Sequence, residues 1–185
     1  MDALEPGNYW KTPFIWEPGC PAPVTHEALR FEEPTDTWLF DAINQVMSDS
    51  LDESDSFAVA QIGAARAVAE LMRILPRHFE RPAGWWRACI DCQDRKVGFV
   101  LPVLFKDPTR WKDGKPQGTI FYMGVLPEFR GRGYSLALVN EATRLFNQAS
   151  CWRIFCDTGT SNAPMVNAFR MAGYTERTPW QRPVA

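Results

Sequence analysis

The run Arg130-Gly131-Arg132-Gly133-Tyr134-Ser135 lies between two patterns. Before it, an apolar extended stretch over residues 119–125 ends in a turn at Pro127; after it, a helical pattern covers residues 135–149. That order puts a glycine-rich loop at a helix N-terminus, straight after a strand. The first amides of a helix lack acceptors within it, and the aligned peptide dipoles leave about half a positive charge there. Such an end suits a phosphate. Gly131 and Gly133 remove side chains that would hold the backbone away from a ligand. Arg130 and Arg132 add cationic donors at the mouth. A P-loop needs a Lys after its glycines, and none follows; a dinucleotide fingerprint needs a third glycine where Leu136 stands. The bland alternative is a turn with a helix cap. An Arg-Gly tract that binds RNA is a further alternative, but the formal net charge of −2 and the lack of a basic, aromatic face run against it.

A second segment, Asp157 to Met165, follows a short strand pattern over residues 152–156 and precedes a helix closed by Gly173 and Tyr174. Taken alone, Asn162 is a cap for a helix opened by Pro164, and Gly173 its left-handed end. Taken in order, the two segments resemble the GNAT N-acetyltransferase superfamily. Its coenzyme-A loop reads Gln/Arg-x-x-Gly-x-Gly/Ala after a Val-x-Pro turn. Arg130, Gly133 and Ser135 stand in its three fixed places, with Ser135 a small departure, and Asn162 matches the Asn that touches the pantetheine arm. The resemblance implies acetyl-CoA as co-substrate. It implies a cofactor site of Met123, Val125, Arg130, Gly131, Arg132, Gly133, Tyr134, Ser135 and Asn162. A main-chain N–H near Val125 would then stabilise the oxygen of the thioester under attack.

Elements must position these residues. With 185 residues, 45% of them apolar and 23% charged, the chain suits one globular domain. The longest apolar run, residues 97–105, is too short to span a bilayer, and the first residues lack the basic start and apolar core of a signal peptide. The expected location is therefore cytoplasmic. An odd set of five cysteines fits free thiols in a reducing compartment. Cys89 and Cys92 share a strand-like run in which residues three apart face opposite ways, so no metal site is expected. Residues 1–25, with Pro6, Pro13, Pro18, Pro21 and Pro23, read as an extended arm rich in aromatics; residues 26–185 read as one domain. A first strand over 29–32 precedes a helix opened by Pro34 and Thr35, an acidic link over 49–55, and a long helix from Ser56 that Pro76 ends. Strands over 85–91 and 96–105 form a hairpin. The order β-α-α-β-β-β-α-β-α-β is that of the GNAT fold, an α+β class with a mixed, mostly antiparallel twisted sheet flanked by helices. The family has one further terminal strand; the N-terminal arm or a second subunit of a homodimer is expected to supply it, since an open edge is a liability.

Acid–base groups are the awkward part. The resemblance implies transfer of the acyl group to an amine, borne by a small molecule or a protein. Direct attack is expected because no cysteine is placed by a motif as nucleophile, and the net charge of −2 predicts neither nucleic acid nor membrane as partner. The family's acid, a Tyr four residues before the closing Gly, is replaced here by Phe169. Tyr122 and Tyr134 are the substitutes in the right region, though each also suits packing. Glu32, Asp52 and Glu53 are the expected acceptor-binding acids, with Asp49 and Asp55 in the same acidic link; solvated acids at a helix start are the alternative. Phe169 also supports a second reading, a sensor module that binds acyl-CoA without turnover.

Overall fold

The computed structural model describes residues 8–21, 23 and 28–183. In chain order its elements are strand β1 (Asn8–Trp16), β2 (Arg30–Glu32), helices α1 (Asp36–Ser48), α2 (Glu53–Ile62) and α3 (Ala64–His78), and strands β3 (Phe79–Glu80), β4 (Arg87–Ile90), β5 (Lys96–Phe105) and β6 (Gln117–Val125). Then follow α4 (Tyr134–Gln148), β7 (Arg153–Gly159), α5 (Ala163–Met171), β8 (Thr175–Glu176) and β9 (Trp180–Pro183). The strands make one sheet in the order β2-β4-β5-β6-β7-β1-β8, with β3 on β5 and β9 on β1. All the pairings are antiparallel except that of β6 with β7.

β5 is the axis, and its unbroken apolar run follows from burial on both faces. Phe99, Leu101 and Val103 pack with Leu39, Ile43 and Val68 of α1 and α3. Val100 and Leu104 share the opposite core with Leu138, Val139 and Phe146 of α4. Two irregularities matter for the site. Leu101 pairs with Tyr122 and Pro102 with Ile120, so Phe121 is the extra residue of a bulge in β6. Pro102, which has no N–H to donate, sits opposite it.

The structure corrects the element order in four places, one of them the short strand β3, which pairs with β5 where no strand was expected. The expected arm, across Asn8–Trp16, is a strand within the sheet: it pairs with β7 on one side and with β8 and β9 on the other. A boundary at residue 25 therefore does not part it from the rest. Phe14 and Trp16 are core residues, which is why so proline-rich a segment is held extended. The arm thus supplies the missing strand, inside the sheet rather than along its edge. The start of the arm, including Pro6, lies outside the described residues. The long helix is two, parted at Gly63 with φ +76°, a backbone region that L side chains rarely enter. Pro76 falls in the last turn of α3 instead of ending it. The final strand is two short ones, β8 and β9.

Candidate functional site

β6 and β7 are paired only at Gln117 with Arg153 and Gly118 with Ile154. Beyond that point they diverge, and a cleft of about 1520 Å³ opens over the unpaired part of β6. Residues 119–125 of β6 form one wall; Phe155, Asp157 and Thr158 of β7 form the other. The parting exposes main-chain groups of a strand inside the sheet, which an extended amide-bearing ligand can pair with.

The glycine loop stands at the end of that wall. Gly131 and Gly133 have φ of +77° and +80°, so both need the left-handed region, and a Cβ at either would meet nothing within 4 Å. The glycines therefore serve the turn as well as an approaching ligand. Gly133 is the N-cap of α4, and Gly131, Gly133, Tyr134 and Ser135 line the cleft. Arg130 lines it too, but its Nη1 donates to the Asp49 carbonyl at 2.8 Å and to its carboxylate at 2.7 Å, and Nε to the Val125 carbonyl at 3.3 Å. Its first task is to tie the loop to the C-terminus of α1. Arg132 is exposed, its guanidinium 5.6 Å from the Phe129 ring, and stands off the lining. Met123 and Val125 line the cleft from β6. Asn162, on the opposite wall, caps α5: its Oδ1 accepts from the Met165 amide at 3.4 Å and its Nδ2 donates to Thr158 Oγ1 at 3.3 Å. The capping alternative is thus realised, within a residue that also borders the cleft.

Two carboxylates at the start of α2 define the middle of the cleft. Asp52, the N-cap, accepts from Lys11 Nζ at 2.7 and 2.9 Å, from Ser54, and from the Gly159 amide at 2.6 Å. Burial pushes its carboxyl up, but the Lys11 charge and these hydrogen bonds outweigh burial and hold it below the ordinary value. It is a buried ion pair that joins α2 to β1 and β7, and so it does not stand open to a cationic amine as expected. Asp55 makes no ion pair among the described residues; Lys11 and Asp52 reach it only as weaker, opposed charges. Its Oδ2 accepts from Tyr122 Oη at 2.7 Å and from Ser50 Oγ at 2.7 Å. Burial raises its carboxyl above the ordinary value, against the pull of those two hydroxyls. Burial, then the Asp55 charge, pushes Tyr122 well up, so it stays a neutral phenol.

The remaining expected residues are dispersed. Glu53 is half-buried beside Asp52 but off the lining. Glu32 lies on the edge strand β2, ion-paired with Lys96 at 3.2 Å and away from the cleft. Tyr134 lines the cleft at the start of α4 with its ring against the α4-side core. Phe169 faces the cleft from α5, stacked on Phe14 at 4.9 Å. Cys89 is buried and Cys92 exposed; burial pushes the thiols of Cys89, Cys151 and Cys156 each up to about 12, which leaves them protonated and poor nucleophiles. Among the described residues no group of His, Cys, Asp and Glu gathers as a metal site, and no helix is long and apolar enough to cross a membrane. Sequence reasoning missed Lys11, hidden in the proline-rich segment, and passed over Asp55 in favour of its neighbours. Spacing carried one clue: Asp55 lies one turn after the cap, on the inward side of α2.

The family model described as "Acetyltransferase (GNAT) family" matches residues 44–174. A GCN5-related N-acetyltransferase from Sphaerobacter thermophilus has a similar fold, at a TM-score of 0.57 and 16% identity over 96% of this chain. This chain spans about half of that protein, 52% of its length. A spermidine N-acetyltransferase from Vibrio cholerae, solved with CoA and spermine, superposes at a TM-score of 0.54 with 14% identity, over 83% of this chain and 84% of its own. A GCN5-related N-acetyltransferase from Kribbella flavida does so at 0.54 and 14%, over 95% and 59%.

Proposed function

We propose that this chain, which belongs to the acetyltransferase (GNAT) family, moves an acyl group, acetyl in the first instance, from coenzyme A to the nitrogen of an amine. One observation carries the reading: the parting of β6 from β7 runs from the glycine loop at the start of α4 to a half-buried carboxylate–phenol pair, Asp55 and Tyr122, within one cleft.

The thioester supplies an activated acyl carbon; the chain supplies position and proton handling. The amides that open α4, with Ser135, hold the diphosphate, and residues 119–125 of β6 align the pantetheine arm against Asn162. Holding both reactants in one cleft contributes much of the rate. The amine must lose a proton as it attacks. Asp55 is the base, directly or through one water, because burial has raised its carboxyl toward working pH. Tyr122, held by the same burial as a weak acid, orients Asp55 rather than protonating the departing thiolate. The bulge at Phe121 interrupts the ladder beside Tyr122, and a main-chain N–H there is the donor for the oxygen that gains charge. This moves the expected donor back from Val125. Five free cysteines support a cytoplasmic setting.

Phe169 favours a second reading, an acyl-CoA sensor without turnover, since it offers no proton. Coenzyme A release over a panel of amines separates the two. The site itself is tested by Gly133→Glu, which is expected to abolish coenzyme A binding while the far-UV spectrum is retained. Gly133→Ala carries the same backbone strain with less bulk and is expected to bind. Unchanged affinity in Gly133→Glu removes the site.

A further inference from the structure

The cleft has a direction along β6. Pairing with β5 sets Gly98 against Val125 and Leu104 against Gly118. The glycine loop follows Val125, so the end of β5 and the residues after it lie at the other end of β6, roughly 20 Å off at ~3.3 Å per residue. Asp55 and Tyr122 stand between. At that far end the lining changes character. Phe79, Phe105 and Phe121 form a ring cluster, with the Phe79 centroid 5.0 Å from that of Phe105 and 5.5 Å from that of Phe121. The bulge makes this possible: Phe121 and Tyr122, adjacent in sequence, both pack on the α1–α3 side.

Around those rings stand Arg77, Lys106 and Arg110, all exposed. The Arg110 guanidinium lies 5.0 Å from the Phe105 centroid. Lys106 Nζ donates to the Pro76 carbonyl at 2.8 Å, a neutral acceptor. The carboxylate in this part of the lining, Asp107, accepts from the Thr109 amide at 2.9 Å and hydroxyl at 2.8 Å and also feels the Arg110 charge, so the rim sets three cations against one anion. An aromatic floor with a positive rim is thus set into a chain of net charge −2.

We propose that the acceptor is a small amine whose aromatic or apolar body carries a carboxylate. Its nitrogen lies at Asp55 and Tyr122, its body on Phe79, Phe105 and Phe121, and its carboxylate against Arg77, Lys106 and Arg110. This rests on the acyl-transfer reading and narrows it. A polyamine would set positive charge against this rim, so the substrate named for the Vibrio protein does not carry over by fold.

Three amines with one ring separate charge from body: para-aminomethylbenzoate, its carboxamide, and para-xylylenediamine. Their affinities for the acetyl-CoA-loaded protein are measured by calorimetry, and coenzyme A release is followed in parallel. The benzoate is expected to bind tighter than the carboxamide by on the order of tenfold, and the diamine weakest. In the Arg77→Glu, Arg110→Glu double variant the order is expected to reverse. Equal affinities, a tighter diamine, no measurable benzoate binding, or an order unchanged in the variant overturns the proposal. Absence of release with every amine counts instead against the transfer reading, because the ranking is read from binding alone.

Discussion

Asp52 and Asp55 stand one turn apart at the start of the same helix, and their surroundings give them opposite tasks. Asp52 meets a lysine, the hydroxyls of Ser54 and Thr158 and the main-chain amides of Ser54 and Gly159, all donors to the ionised form. Asp55 meets two neutral hydroxyls, and the Lys11 charge reaches it only as a minor pull, set against the Asp52 charge. Burial acts on both, and partners decide which way each carboxyl moves: down for Asp52, up for Asp55. A carboxylate held firmly ionised binds elements together; one whose hold on a proton burial has raised is better suited to accept one. The lesson is that acidity near a cleft says little until the donors around each oxygen are known.

The largest effect should come from breaking the paired side. Lys11→Met leaves Asp52 buried without its cation and is expected to cost about 3–5 kcal/mol of stability, measured by denaturant unfolding. Asp52 is depressed in the fold, so its contribution is full above the unfolded aspartate value and is lost as pH falls through the lower folded one. Lys11→Met should therefore erase an acid-unfolding step that the parent shows. A loss under 1 kcal/mol would place the pair among surface bridges.

Asp55→Asn should do the reverse. Asp55 is raised in the fold, so its ionised form is the one that the fold disfavours; a neutral amide removes that penalty, and stability near neutral pH should hold or rise. Turnover should fall by about 10²–10⁴-fold. The parent rate should climb with pH through a carboxyl value above that of a free aspartate, and this limb should vanish in the variant. A variant that is active with the limb intact would move the base elsewhere. The smallest effect is expected from Phe169→Tyr: with proton handling centred on Asp55, turnover should barely change, whereas a clear gain at neutral pH would mean that an acid had been missing.

What could be read from the chain beforehand follows the range of each constraint. The glycine loop was legible because Gly131 and Gly133 answer a local demand for positive φ at a helix start. The family's fold followed from that loop and from strands whose apolar pattern is local, such as β5. The Tyr122–Asp55 pair joins residues 67 apart, and the Lys11–Asp52 pair residues 41 apart; no short pattern announces either. Gly63 splits a helix that looked continuous because its two halves keep the same apolar spacing. β1 was hidden by Pro13 and Pro18, which argue against a strand until tertiary pairing is known. Arg130 was read as a ligand donor because its type fits, while its actual partner, Asp49, lies 81 residues away.

β1 has a consequence for the order in which the molecule can be made. Its partners Arg153–Gly159 and Trp180–Pro183 leave the ribosome long after Asn8–Trp16 does. The early segment must wait for its partners until β7 and β9 have been synthesised. Lys11 can reach Asp52 early, but the Gly159 amide that completes the junction comes more than a hundred residues afterwards. Pairings of such separation form slowly, and a nascent chain stalled before Gly159 holds Asp52 and Lys11 without the amide that completes their junction.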